Sequence, residues 1–331
     1  MRIHIAGWHR PLLVFAAAMG VMTLVSGVGL LVDDRMLAGS PIWHKPLKFS
    51  VSFVLYGLTL AWMHSLLTRR QRTGWWAGIV VVAASVLEMA IIVGQVVRGK
   101  RSHFNTETST DAALYSLMGT TVVVLWLATL LMAVVLWRQP LADRATQWAI
   151  RLGTVIGLAG LSVGFMMTQP TADQSAGRIT GAAGAHSVGT ADGGPHLPVT
   201  GWESTGGDLR IAHFVGMHAL QVLPLLALAL AHAARRYGWA ADAGVRPRLV
   251  LVAGLGYAGA VGLATWQALR GQALTSPDAL TLGAAGALAA AVAVAAALVL
   301  LAGAARRRGG PGAAGGPGDR PEALAGSGLR G

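Results

Sequence analysis

Cysteine is absent from the 331 residues. That excludes disulfides, thiolate metal sites, cysteine nucleophiles and covalent c-type haem attachment. Charge is scarce as well. Asp, Glu, Lys and Arg make up 12% of the chain, where a soluble domain carries about 25%. Acids are the scarcer sign, 14 against 26 Lys and Arg. This basic excess does not point to nucleic acid, because the arginines sit in short segments between apolar runs, as membrane topology requires. No phosphate loop ending in Lys-Ser/Thr and no H-E-x-x-H occurs, and the literal G-x-S-x-G at 160–164 and G-x-G-x-x-G at 254–259 and 310–315 fall inside apolar runs or the Gly/Pro-rich tail, not between a strand and a helix. The enzyme classes those motifs serve have no support in the sequence.

What the chain has in quantity is apolar sequence, with a mean hydropathy of +0.56. Eight runs stand out, at approximately 11–32, 47–67, 75–97, 112–137, 147–168, 210–234, 248–270 and 280–304. Each is near the roughly 20 residues needed to cross a bilayer. A continuous apolar run in lipid must satisfy its own backbone, so each is expected to be a helix. The first run follows basic residues, as in a signal peptide. It is long for one and has no clear A-x-A site after it, so a retained span is expected. The fold class predicted is all-α, a polytopic membrane bundle over residues 1–308. The Gly/Pro-rich tail, 309–331, is expected to be disordered and cytoplasmic.

Eight spans place both termini on one side. That side holds 17 of the 26 Lys and Arg residues. The positive-inside rule then puts the termini in the cytoplasm of a bacterial inner-membrane protein. The outer connections carry the unusual polar sequence: "DDRMLAGSPIWHKPLKF", "RGKRSHFNTETSTD" and the segment 169–209. Six of the ten histidines lie there or in the outer halves of spans. A connection of about 40 residues is uncommon unless it is functional or disordered. Segment 169–209 is therefore either a folded extracytoplasmic cap, which its Gly, Pro, Trp and Asp residues suit, or a mobile loop.

The stretch "GGDLRIAHFVGMHALQ", residues 206–221, opens the sixth run with polar residues. Asp208 can N-cap the helix, and Arg210 can reach Asp208 or lipid headgroups. His213 lies about 6 Å in and His218 about 13 Å in, with Gln221 deeper. The ordinary reading is a hydrogen bond to a neighbouring helix. The functional one is a ligand or proton-handling site. His213 and His218 are five residues apart, a spacing that does not aim both at one metal from a regular helix.

Other runs bring polar groups to the same level. Glu88 lies about 15 Å deep, with Gln95 and Arg98 following on nearly the same face. Tyr56 is at similar depth in the second run, below Lys45 and Lys48. Asp111 begins the fourth. His103 and Asn105 stand in the connection before it, where headgroup contact is the ordinary alternative. Glu88 should face the bundle interior, because a carboxylate facing lipid is costly. Glu88 and His218 are the candidate catalytic pair, expected to meet. Lys48, Tyr56, Gln95, Arg98, His103, Asn105, Asp111, Asp208, Arg210, His213 and Gln221 are the candidate ligand-binding residues. Packing or helix capping is the ordinary role for each.

The segments "SPIWHKPLKFSVS", "RGKRSHFN", "DGGPHLPVTGW" and "GGDLRIAHFVGMHALQVLP" together resemble an uncharacterised family of bacterial polytopic membrane proteins, over most of residues 25–230. The resemblance implies an eight-span inner-membrane bundle and supplies neither an activity nor catalytic residues. The span count and embedded histidines are also similar in architecture to haem A synthase, but its paired-histidine pattern has no match here.

Three functional classes remain open. One is an extracytoplasmic haem- or metal-dependent oxidoreductase, the cofactor unspecified. The second is a proton-coupled small-solute transporter. The third is a sensor or assembly factor that binds a small molecule or ion without turnover. The bilayer is the one partner all three share, and oligomeric state is open.

Overall fold

The computed structural model describes residues 7–141, 143–198 and 200–308; the tail 309–331 lies outside them. In chain order the elements are α1 (Arg10–Val32), β1 (Met36–Leu37), β2 (Ser40–Pro41), α2 (His44–Ser65), α3 (Gln71–Arg98), α4 (Ser109–Trp137), α5 (Arg144–Met167) and α6 (Ala172–Ser175). They continue with β3 (Ser187–Val188), β4 (Gly207–Asp208), α7 (Leu209–Met217), α8 (Ala219–Ala233), α9 (Gly238–Ala241), α10 (Val245–Leu269) and α11 (Ala279–Arg308). Among the described residues, seven helices, α1 to α5, α10 and α11, are long and apolar enough to cross a membrane. α7 and α8 pass the same test together but are bent by 42°.

The expected sixth run is thus a broken helix. Pro224 lies inside α8, and its ring crowds the turn before it. His218 stands at the break, where Gln221 N–H reaches back only three residues to the His218 carbonyl, 2.9 Å away. The second helix also starts earlier than its apolar run, at His44. Pro46 therefore sits inside the first turn, where its missing N–H would have been an orphan donor anyway.

Glycine sets how closely the helices approach. An ideal Cβ on Gly160 of α5 would lie 2.5 Å from the Gly216 carbonyl carbon of α7, and one on Gly153 2.8 Å from the Ala219 carbonyl oxygen. Backbone meets backbone there, the close packing that small residues allow between apolar helices. α1 and α2 pack through Gly57 and a Phe15–Phe53 ring contact at 5.6 Å. α11 lies against α10, with Val292 over Gly256 and Leu288 over Gly259. The most apolar window of α11 has no buried residue. Leu31, Leu24, Leu255 and Leu301 are 84%, 71%, 66% and 66% exposed, so the outward surface is broadly apolar.

The connections 33–43, 99–108, 168–208 and 270–278 all lie at one end of the bundle, the cap end. The described residues of segment 169–209 are folded. Thr171 and Gln174 form a capping box on α6. β3 pairs with β4, Ser187 opposite Asp208. The cap is tied to the 99–108 connection by Thr106 N–H to the Gly181 carbonyl and Ala183 N–H to the Phe104 carbonyl, both 3.0 Å. It reaches α2 through Lys48, whose Nζ donates to the Thr200 carbonyl at 2.8 Å.

Candidate ligand-binding chamber

Beneath the cap the helices part around a cavity of about 640 Å³, within the roughly 300–1,000 Å³ usual for small-molecule sites. Its deep wall is mostly apolar, Phe53, Ala84, Met118, Leu125 and Leu161, interrupted by Tyr56 and by the bonded pair Glu88 and Thr121. Its upper wall is polar, bringing together Lys45, Lys48, His103, His186, Arg210 and His213.

The first turns of α2 supply Lys45 and Lys48, three residues apart and so on one helix face. Lys48 is anchored to the cap. Lys45 lies 5.9 Å from the centre of the Phe49 ring, and among the described residues it forms no hydrogen bond or ion pair. Arg210 is held by Asp208, Nε to Oδ1 at 2.9 Å and Nη2 to Oδ2 at 2.6 Å. The buried Asp208 also caps α7 through Arg210 N–H and accepts from Glu203 N–H at 2.7 Å.

The acids of the cap are already committed. Glu203 Oε1 accepts from the backbone N–H groups of Ser204 and Thr205 and from the Thr205 hydroxyl. Asp192 accepts from His186 N–H, Ser187 N–H and the His186 ring at 3.1 Å. Burial raises the Asp192 carboxyl, but these hydrogen bonds and the His186 charge outweigh it and hold the group below the usual carboxylate range. The lining carries five cations, Lys45, Lys48, Lys100, Arg101 and Arg210, against three acids, Glu88, Asp192 and Glu203. Lys100 and Arg101 are paired with Glu107 and Arg210 with Asp208, so among the described residues Lys45 and Lys48 are the lining cations with no acid at ion-pair distance.

Among the described residues, three imidazoles keep one ring nitrogen without a hydrogen-bond partner. A carbonyl or carboxylate can only accept, so a ring nitrogen bonded to one must carry the proton. His213 Nδ1 thus donates to the Gly160 carbonyl (2.9 Å), His196 Nδ1 to the Gly194 carbonyl (3.2 Å) and His186 Nδ1 to Asp192. That leaves each Nε2 as the lone-pair atom. Burial lowers His186, against the pull of Asp192, and lowers His103 well below the ordinary histidine value, with the nearby Lys45 charge adding to it. Both rings are neutral at pH 7.

Glu88 is 3% exposed and lines the chamber. Its Oε2 accepts from Thr121 Oγ1 at 3.1 Å. Its Oε1 is buried without a hydrogen bond and lies 3.7 Å from His103 Nε2, too long for one. Its expected meeting with His218 is not made. His218 bonds Ser52 Oγ through Nε2 at 3.4 Å and Gln221 Oε1 through Nδ1 at 3.1 Å. The break in the helix turns that ring toward α2 rather than toward α3.

Of the residues singled out in the sequence, Glu88, Lys48, Tyr56, His103, Arg210 and His213 line the chamber. Tyr56 O–H and Thr129 Oγ1 share a hydrogen bond at the floor. Gln95, Arg98 and Asp111 form a separate clasp joining the end of α3 to the start of α4. Arg98 donates to Asp111 at 2.8 Å and to Gln95 at 2.6 Å, and Gln95 donates to Asp111 at 3.0 Å. Asn105 holds its own connection, donating to the Arg101 carbonyl at 3.0 Å. Lys45 and His186 enter the chamber but stood outside the chosen set. The three-residue spacing to Lys48 signals the first, while nothing local signals that a cap histidine folds inward. Phe104 is a further unforeseen wall. Its ring lies 4.8 Å from that of His186 and 5.7 Å from that of Tyr115, on a backbone at φ +57°, a strained value for a non-glycine residue.

Among the described residues, no three His, Asp or Glu side chains gather in a way that could hold a metal ion. No family model, curated protein or solved structure matches the chain.

Proposed function

We propose that this is a multi-pass protein of the bacterial inner membrane that binds a small organic anion in the capped chamber. The outward apolar surface and the seven long apolar helices support insertion, since exposed apolar area of that extent has no place in water. The bent α7–α8 pair makes an eighth span in this reading. The arginine-rich end then lies in the cytoplasm and the cap faces the extracytoplasmic side.

One observation carries the choice of ligand: among the described residues the Lys45 side chain stands in the chamber wall without a hydrogen-bonding partner, beside Lys48 and Arg210. An anionic group there gains charge-assisted hydrogen bonds, and the apolar deep wall takes the remainder of the molecule. Binding without turnover, as in a sensor or assembly factor, needs nothing further. A metal-dependent oxidoreductase would need donors gathered on one ion, and a transporter would need two access states. The break at His218 favours transport as the second reading, because interrupted helices flank the binding sites of many carriers.

The test is calorimetric titration of the protein, embedded in zwitterionic lipid discs, with octyl phosphate and with octanol. Saturable binding of octyl phosphate alone supports the reading. Equal binding of octanol, or none of either, overturns it. An absorption spectrum and metal analysis of the same preparation tests the oxidoreductase reading, and pH-dependent uptake into vesicles tests transport.

A further inference from the structure

The chamber has two openings. One lies at the cap end, where the exposed Ala38, Pro41, Asp192 and Gly193 form part of its wall. The other is in the side of the bundle. Ser116, Gly119 and Val123 of α4 and Thr168, just after α5, line the chamber, and all four are solvent-exposed. On α4 these three residues lie roughly 100–160° around the helix from the buried Met118, so a chamber lined by both faces passes outward beside α4 toward α5.

This breach is framed. Above it, Ala185 N–H bonds the Met167 carbonyl at the end of α5 (2.9 Å), and Phe104 packs on Tyr115 of α4. Below it, Trp126 Nε1 of α4 donates to the Leu158 carbonyl of α5 at 3.1 Å. Between these ties a Cβ on Gly119 would meet nothing within 4 Å. Ser116 to Val123 spans about 10 Å along the helix, beginning about 10 Å from the start of α4. In the proposed orientation that places the window in the outer half of the hydrocarbon layer.

We infer that the window between α4 and α5 admits a single-chain anionic amphiphile, a carboxylate or phosphate on one alkyl chain, directly from the outer leaflet. Its head lies at Lys45 and Lys48 and its chain follows the apolar wall past Met118 and Leu125. This rests on the organic-anion reading and adds the ligand class and its route. The polarity of the wall decides the orientation. The cations lie toward the cap and the apolar side chains toward the bundle centre, and the window opens on the apolar part. A soluble anion needs only the opening at the cap end. The framed lateral opening is explained by a ligand already dissolved in lipid.

The test uses the full chain in zwitterionic lipid discs loaded with palmitate or hexadecyl phosphate, each carrying a diazirine at the chain end. Irradiation and peptide mapping should place adducts on Met118 or Leu125, which are 2% and 8% exposed and face the chamber. Gly119→Phe, built into open space, should slow that labelling at least tenfold. Labelling by one probe and not the other identifies the head group within the proposed class. Adducts confined to outward side chains overturn the inference, as does chamber labelling that Gly119→Phe does not slow. Should octyl phosphate bind while neither long-chain probe enters, the organic-anion reading stands and the lateral route falls. Should octyl phosphate also fail to bind, both fall. A second variant, Val123→Ala, enlarges the window without plugging it and should not slow labelling. Loss of labelling in both variants would show damage to the chamber and would count against the route.

Discussion

Gly160 of α5 and Gly216 of α7 touch backbone to backbone, and the same turn of α5 presents the Gly160 carbonyl to His213 Nδ1 at 2.9 Å. One contact therefore sets both the approach of two helices and the tautomer of a chamber histidine. Gly160→Leu has no flexible side chain to displace, only backbone. It should cost roughly 1–3 kcal/mol as overpacking, read as a lower midpoint of thermal unfolding in detergent. It should also displace His213 from its acceptor. An unchanged midpoint would mean that the helices do not meet there.

Asp111 anchors the clasp at the end of α3 but stands outside the chamber wall. Asp111→Ala removes the acceptor of Gln95, Arg98 and Thr108, and should destabilise by roughly 1–3 kcal/mol. The affinity for octyl phosphate should stay within about twofold at temperatures where the variant is folded. A large selective loss of affinity would move this clasp into the site.

Acidification should weaken the cap through its half-buried histidines. His103 and His186 titrate in the folded protein below the unfolded value near 6.5. Their contribution is therefore fully present above pH 6.5 and declines as pH falls from there toward the folded values. The slope is at most about 1.4 kcal/mol per pH unit for each ring. Asp192 acts in a lower window. Its folded value is depressed, so its contribution is intact above the unfolded carboxylate value near 4 and is lost below it. Thermal unfolding at pH 7.5, 6.5 and 5.5 should show a falling midpoint, with a shallower fall in His103→Gln and His186→Gln. A midpoint independent of pH, or rising toward acid, would contradict the burial of neutral rings.

Glu88 and His218 have no hydrogen-bond partner in common. Glu88→Gln and His218→Ala should therefore add within about 0.5 kcal/mol in a double-mutant stability cycle. Glu88→Gln and Thr121→Val, which share the 3.1 Å hydrogen bond, should not. Strong coupling in the first cycle would restore the pairing that depth along the helices had suggested.

That pairing shows where reading the sequence succeeds and where it stops. Hydropathy marks α1 to α5, α10 and α11, because a long apolar helix is a local property of the chain. Depth is local too, at a fixed rise per residue, so the level of Glu88, Tyr56 and His213 was legible. Azimuth across a break is not. Once α7 and α8 part at His218, helical spacing no longer relates His213 to Gln221, and the side His218 faces is set by packing against α5. The Gln95–Arg98–Asp111 clasp has the same polar residue types as the chamber wall, and only the fold separates the two. The inward turn of His186 depends on Asp192 and on Phe104, neither of which carries a signature.

The most direct test of the organic-anion reading is the affinity for octyl phosphate of Lys45→Gln, Lys48→Gln and the double variant, titrated in zwitterionic lipid discs beside the unmodified protein. Each change removes a charged donor worth about 1.5–3 kcal/mol. The account predicts at least a tenfold loss for Lys45→Gln and a larger one for the pair, with the unfolding midpoint little changed for Lys45→Gln. Undiminished affinity in the double variant would contradict it.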